Sequence, residues 1–180
     1  MNLQLLKCLL ISWICIGFSS CIFAQSDEFD PEARGVDGVR IMFYNVANLF
    51  DTFDDPTTND NEFTPNGAKS WSNYRYKEKL NHIAKTIVAV GGWEPPALVG
   101  LCEVENFQVL MDLVSKTPLN KYGYQIVHEN SKDRRGIDVA ILFRPEKLAL
   151  IAHKSMKIND RSLVTRDILY ASFSFQKKDT

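Results

Sequence analysis

Two polar residues, Asn45 and Glu103, each follow a run of mainly apolar residues that is typical of a strand. A carboxylate at the end of a buried strand is costly unless it is paired or binds a cation. Carboxylate and amide oxygens suit Mg²⁺ or Mn²⁺. The pattern therefore predicts a metal site that contains Glu103 and Asn45. Two other interpretations stay open, since Glu103 could be an acid at a helix N-terminus and Asn45 a turn residue.

Charged residues precede two further strands of the sequence. Arg135 and Asp138 stand at the start of one strand, and Arg166 stands directly before another. The planar guanidinium of arginine suits phosphate oxygens, so these residues are candidates for a phosphate site. His128 ends the strand that leads to Arg135 and could reach the same rim. The alternative is a solvated turn in which the Arg and Asp side chains neutralise each other.

The elements that would position these residues follow from periodicity. A stripe of apolar residues over 76–88 predicts a helix that begins at Ser72 or Asn73 and ends at the glycines 91 and 92. A shorter stripe over 107–114 predicts a second helix, with Asn106 as its N-cap. The first strand is apolar on both faces, which predicts a central strand covered on both sides. The predicted strands are 39–46, 97–102, 124–127, 138–143, 148–152 and 168–175, and a long loop spans 51–71.

The composition is that of one globular domain. Of the 180 residues, 45% are apolar and 24% are charged, and the net charge is −1. No overall basic field argues for nucleic acid, although one metal ion could supply positive charge locally. The order β-α-β-α-β-β-β-β predicts an α/β fold in which a mixed sheet carries helices on one face.

The first residues predict export. An apolar run over 8–18 has the length of a signal-peptide core, so residues 1–24 are predicted to be a signal peptide. A lipoprotein signal that ends before Cys21 is the alternative. Residues 25–37 form a linker, and 38–180 form the domain. We expect a periplasmic or extracellular protein, or one anchored by lipid at Cys21, with no transmembrane span after processing.

Four stretches in this order resemble the endonuclease/exonuclease/phosphatase superfamily, the deoxyribonuclease-like group. They are residues 40–46, residues 101–106, residues 135–140 with 143–145, and residues 165–169. The resemblance implies a four-layered α/β sandwich, of which this chain would form half, or most of one pair of layers. It also implies phosphoester hydrolysis with a divalent metal, Mg²⁺ or Mn²⁺.

The resemblance assigns roles to particular residues. Glu103 would ligate the metal, and Asn45 would support the metal or phosphate shell. Arg166 matches an arginine on the phosphate side, whereas Arg135 and Asp138 match less securely. The substrate would be a phosphoester, and DNA, RNA, a phospholipid head group and a sugar phosphate all stay open.

The family's later motifs, among them an Asn-His strand and a terminal Asp-His, are not found in the chain. We therefore expect an N-terminal half that is inactive alone and that pairs with a C-terminal half chain or with itself. One alternative is an exported binding module that retains relic metal-site residues. Another is the N-terminal chain of a split hydrolase.

Overall fold

The computed structural model of this chain describes residues 38–92, 94–158 and 165–176. Four of the described strands form one mixed sheet in the order β1-β2-β4-β3, and the other two, β5 and β6, form a separate antiparallel pair. β1 runs parallel to β2, while β2 and β3 each run antiparallel to β4. The strands are β1 Ile41–Leu49, β2 Leu98–Val104, β3 Gln125–His128, β4 Asp138–Phe143, β5 Leu148–Met156 and β6 Ile168–Phe175.

Two α-helices cover one face of the mixed sheet, α1 over Asn73–Gly91 and α2 over Phe107–Ser115. Short 3₁₀ turns occupy Asn61–Phe63 and Pro118–Tyr122. Both helices begin where the sequence predicts. The Ser72 side chain accepts from the backbone N–H of Arg75, and the Asn106 side chain accepts from that of Val109.

The middle strands of the sheet are apolar on both faces because both faces are packed. Val99 of β2 and Leu142 of β4 lie in the core formed with the helices. The alternate residues point the other way, where Phe143 packs against Phe173 of β6 with 5.1 Å between ring centroids. The predicted mixed sheet with helices on one face is therefore confirmed.

The prediction that the first strand is central was wrong. In the described part of the chain β1 lies at an edge of the sheet, and its residues Ile41 and Phe43 are 66% and 74% exposed. Aromatic and β-branched residues favour a strand but do not specify how many neighbours it has. β5 also runs four residues beyond its predicted end, to Met156. The added residues are largely exposed and so leave no apolar pattern in the sequence.

The predictions for residues 1–37, which include the signal peptide, the linker and the role of Cys21, lie outside the described residues. Among the residues that the structure describes, no helix is both long enough and apolar enough to cross a membrane.

Candidate metal and phosphate site

The side chains of Asn45 and Glu103 meet at one end of the parallel pair β1 and β2. Asn45 Nδ2 donates to Glu103 Oε1 at 3.1 Å, and the N–H of Ala47 donates to Asn45 Oδ1 at 2.8 Å. A backbone N–H can only donate, so it fixes which end of the amide faces Ala47 and leaves Nδ2 for the carboxylate. The predicted proximity of the two side chains is confirmed. The geometry favours Asn45 as the residue that orients Glu103.

The backbone at both strand ends departs from regular β geometry. Glu103 has a φ of 66°, and the pairing of β2 with β4 shifts register between Cys102 and Val104. Across from it, Ala47 and Asn48 have φ of 53° and 65°. The left-handed conformation costs a residue other than glycine about 1–2 kcal/mol. Such irregularities re-aim side chains and cluster at functional sites.

Two arginines bring positive charge to this strand end. Arg135 holds the buried Asp133 through Nε to Oδ1 at 3.1 Å and Nη2 to Oδ2 at 2.9 Å. The hydrogen bond and charge of Asp133, with a contribution from Glu103, raise the pKa of Arg135. Burial raises the pKa of Asp133, but Arg135 and the charge of Arg166 outweigh it and hold that pKa below its usual value. The charge of Arg135 thus interacts with those of Glu103 and Asp133, and the charge of Arg166 with that of Asp133.

His128 and Asp138, the other predicted site residues, form a buried pair. Their side chains are 3% and 7% exposed, with His128 Nε2 lying 3.3 Å from Asp138 Oδ2. That approach lacks hydrogen-bond geometry, so His128 Nε2 has no hydrogen-bond partner among the described residues. Asp138 Oδ1 accepts from the N–H of Ser131 at 3.0 Å. A catalytic role for either residue stays a prediction, and the geometry favours a supporting one.

Hydrogen bonds join the residues that follow β1 and β2. Glu105 Oε2 accepts from the N–H of Asp51 at 2.6 Å, and Asn106 Nδ2 donates to Asp51 Oδ2 at 3.3 Å. Burial, with the charges of Asp51 and Asp60, raises the pKa of Glu105 to about 8 despite the hydrogen bond from Asp51. The hydrogen bond from Asp51 thus ties Glu105, which follows β2, to the loop that follows β1.

The structure adds Lys79 of α1, which sequence reasoning missed. Its Nζ donates to the carbonyl of Ala47 at 2.5 Å, two residues from Asn45. Burial lowers the pKa of Lys79, while the nearby charge of Glu103 opposes that shift. A lysine on an amphipathic helix is ordinary surface composition, so no signal in the sequence singles it out.

The donor atoms present fit a magnesium-like cation held partly by water and phosphate. Among the described residues no group of three or more His, Cys, Asp or Glu side chains is arranged to hold a metal ion. Mg²⁺ usually takes only one or two carboxylates and completes its shell with water and substrate phosphate oxygens. Glu103 supplies one such carboxylate, and its Oε2 makes no hydrogen bond to the part of the chain described.

Comparison with known proteins identifies the family of the chain. A search of curated proteins gave no match to the chain. The sequence model of the Endonuclease/Exonuclease/phosphatase family matches residues 40–180, a range that holds all the site residues described above. The chain therefore belongs to the endonuclease/exonuclease/phosphatase family, whose domain is that of phosphoesterase- and nuclease-like hydrolases.

Proposed function

We propose that this chain carries the metal- and phosphate-binding part of a divalent-metal-dependent phosphoester hydrolase, with Mg²⁺ or Mn²⁺ as the cation. The observation that carries the proposal is the oriented Glu103 carboxylate. It is hydrogen-bonded by Asn45 at 3.1 Å and lies at a strand end with a φ of 66°. A residue with a strained backbone costs free energy of folding, which supports a functional reason for its presence at this strand end.

Each residue of the site has a separate task in this proposal. Glu103 would hold the cation, and Asn45 would keep the carboxylate in one orientation. Arg135 and Arg166 would bind and orient the phosphate oxygens, since both guanidinium charges act on this strand end. The bound cation would supply stabilisation of the negative charge that develops on the phosphate oxygens.

The proposal extends to the layers of the fold. The pair β5–β6 packs on β4 on the side away from the helices, which supports two stacked sheets as part of a four-layered sandwich. The exposed apolar residues Ile151, Ile168 and Phe175 of that pair could be covered by a second chain or by a second copy of this one. The expectation that the chain is inactive alone also stays a prediction, as does its export.

Metal binding by the full chain tests the proposed function directly. Free Mn²⁺ measured by electron paramagnetic resonance should fall as the chain is added. Glu103→Gln should weaken binding by at least about tenfold, because second-shell changes alone cost 10–100-fold. Glu62→Gln, which changes an exposed carboxylate in the 3₁₀ turn Asn61–Phe63, is the matched control and should bind as the parent does. Equal Mn²⁺ affinity in the parent and in Glu103→Gln would refute the proposed site.

A further inference from the structure

The backbone turn that follows Asn45 is strained, and a side chain from helix α1 is bonded to it. Ala47 and Asn48 have φ of 53° and 65°, in the left-handed region. In residues other than glycine that conformation persists only where the surrounding structure enforces it. The carbonyl of Ala47 accepts a hydrogen bond from Lys79 Nζ at 2.5 Å. Lys79 therefore supplies one of the contacts that hold the turn.

The ammonium of Lys79 is itself held in place by an aromatic ring. Its Nζ lies 5.7 Å from the centroid of Trp71, which is 7% exposed. A cation at this distance is attracted by the face of an indole ring. Trp71 is fixed in turn, because its Nε1 donates to the carbonyl of Phe50 at 3.0 Å. The ammonium and the indole thus bind the carbonyl oxygens at the two ends of the segment 47–50.

The same turn fixes the amide of Asn45. The N–H of Ala47 donates to Asn45 Oδ1 at 2.8 Å, and Asn45 Nδ2 donates to Glu103 Oε1 at 3.1 Å. The peptide groups of Ala47 therefore connect Lys79, on the helix that covers one face of the sheet, with the side chain of Asn45. In the described part of the chain no hydrogen bond or ion pair joins Lys79 directly to Glu103.

We infer that Lys79 is a positioning residue of the proposed metal site. It holds the left-handed turn at Ala47, and through that turn it holds the Asn45 amide that orients Glu103. The inference rests on the proposed function for the role of Glu103. It adds to that function a residue that acts from the helix side of the sheet, through the backbone, and without contact to the cation.

A positioning role and a simple charge effect predict opposite changes in metal affinity. The charges of Lys79 and Glu103 interact, although no direct bond joins the two side chains. A positive charge near a cation site opposes cation binding, so the loss of that charge alone would strengthen Mn²⁺ binding. The loss of the hydrogen bond to Ala47 would instead release the Asn45 amide and weaken binding. The direction of the change separates the two effects.

The first test is the Mn²⁺ affinity of the full chain, measured by electron paramagnetic resonance. Lys79→Met keeps an unbranched apolar stem but has no donor. We expect its affinity to fall by about tenfold, the lower end of the cost of changing groups that hold a metal ligand. Lys79→Arg keeps a cationic donor and should restore most of the affinity. Lys85→Met, at an exposed position of α1, is the matched control and should bind as the parent does. Unchanged or raised affinity in Lys79→Met would overturn the inference.

A double-mutant cycle tests whether Lys79 acts through Asn45. In a chain that already carries Asn45→Ala, Lys79→Met should change Mn²⁺ affinity little, because the amide that Lys79 positions is gone. An equal loss of affinity with and without Asn45→Ala would show that Lys79 acts by another route, against the inference. Urea denaturation of each variant measures stability separately. A purely structural role would lower stability in Lys79→Met and leave the Mn²⁺ affinity of the folded chain unchanged.

A measurement without metal distinguishes the inference from the proposed function. The ¹⁵N relaxation of the Asn45 side-chain amide should show a fixed group in the parent and in Lys79→Arg, and a mobile one in Lys79→Met. If Glu103→Gln binds Mn²⁺ as the parent does, the proposed function fails, and the amide alone decides whether Lys79 positions Asn45. If Glu103→Gln weakens Mn²⁺ binding while Lys79→Met leaves the amide fixed, the proposed function survives and the inference is wrong.

Discussion

Some exposed side chains of this site are held in place by hydrogen bonds to buried side chains. Asp133 is the clearest case, because its side chain is 5% exposed whereas that of Arg135 is 59% exposed. Both carboxylate oxygens of Asp133 accept from the guanidinium, and Oδ1 also accepts from the N–H of Arg135 at 2.9 Å. Asp133 thereby fixes the direction of Arg135 through Nε and Nη2, and in the proposed function Nη1 would bind a phosphate oxygen.

We predict that Asp133→Asn destabilises the chain and weakens its affinity for inorganic phosphate. The substitution removes a buried charge-assisted pair, which costs about 1–3 kcal/mol in the free energy of unfolding. Urea denaturation measures the stability, and ³¹P resonance titration measures phosphate binding. Asp54→Asn, at an exposed position of the long loop, is the control and should change neither.

The effect of Asp133 should also depend on pH. Its folded pKa is below the ordinary value of 3.8, so the unfolded chain binds more protons as pH falls. The stabilisation is therefore fully present above 3.8 and is lost as pH falls through the folded pKa. The difference in stability between the parent and Asp133→Asn should shrink in acid, and a difference that grows there would contradict this assignment.

At the level of elements, the long loop after β1 packs against the turn that carries Arg134 and Arg135. The N–H of Asn59 donates to the carbonyl of Arg134 at 2.9 Å. Gly136 has a φ of 67°, and a Cβ added there would lie 2.9 Å from Cγ2 of Thr58. The close approach of the two segments therefore requires glycine at this position.

We predict that Gly136→Ala costs more stability than Gly123→Ala. Gly123 has a φ of 60° but open space where the alanine methyl would lie, so its substitution reports backbone strain alone, about 1–2 kcal/mol. Gly136→Ala adds the clash with Thr58, and its cost should fall when Thr58→Ser removes the methyl. Urea denaturation of the single and double variants measures the cost of the backbone strain and the cost of the clash with Thr58. Equal losses of stability in Gly136→Ala and Gly123→Ala would show that the contact between Gly136 and Thr58 does not matter.

At the scale of the molecule, seven of the thirteen large apolar and aromatic side chains that are exposed among the described residues lie on β1, β5 and β6. Ile151 and Ile168 of the β5–β6 pair are 66% and 53% exposed. Ile41 and Phe43 of β1, at the sheet edge, are also exposed. Exposed strands with apolar side chains favour association with another chain. The described domain therefore presents surfaces that a partner chain or a second copy could cover.

We predict that the purified full chain self-associates in a concentration-dependent way, and that Ile151→Thr reduces this. Threonine keeps the β-branched shape that suits a strand while it removes apolar area. Light scattering after size-exclusion chromatography gives the mass at each concentration. Phe53→Ser, which removes a 78% exposed side chain from the long loop, is the control and should leave association unchanged. A chain that stays monomeric at every concentration would contradict the prediction.

The chain's local patterns were enough to predict the two helices, their caps at Ser72 and Asn106, and the meeting of Asn45 with Glu103. Periodicity reports which face of an element is buried, and a polar residue after an apolar run reports a strand end. Only the tertiary structure showed that β1 lies at an edge, that His128 and Asp138 are buried together, and that Lys79 reaches the site. These facts depend on contacts between residues far apart in sequence, and local periodicity does not encode which elements meet.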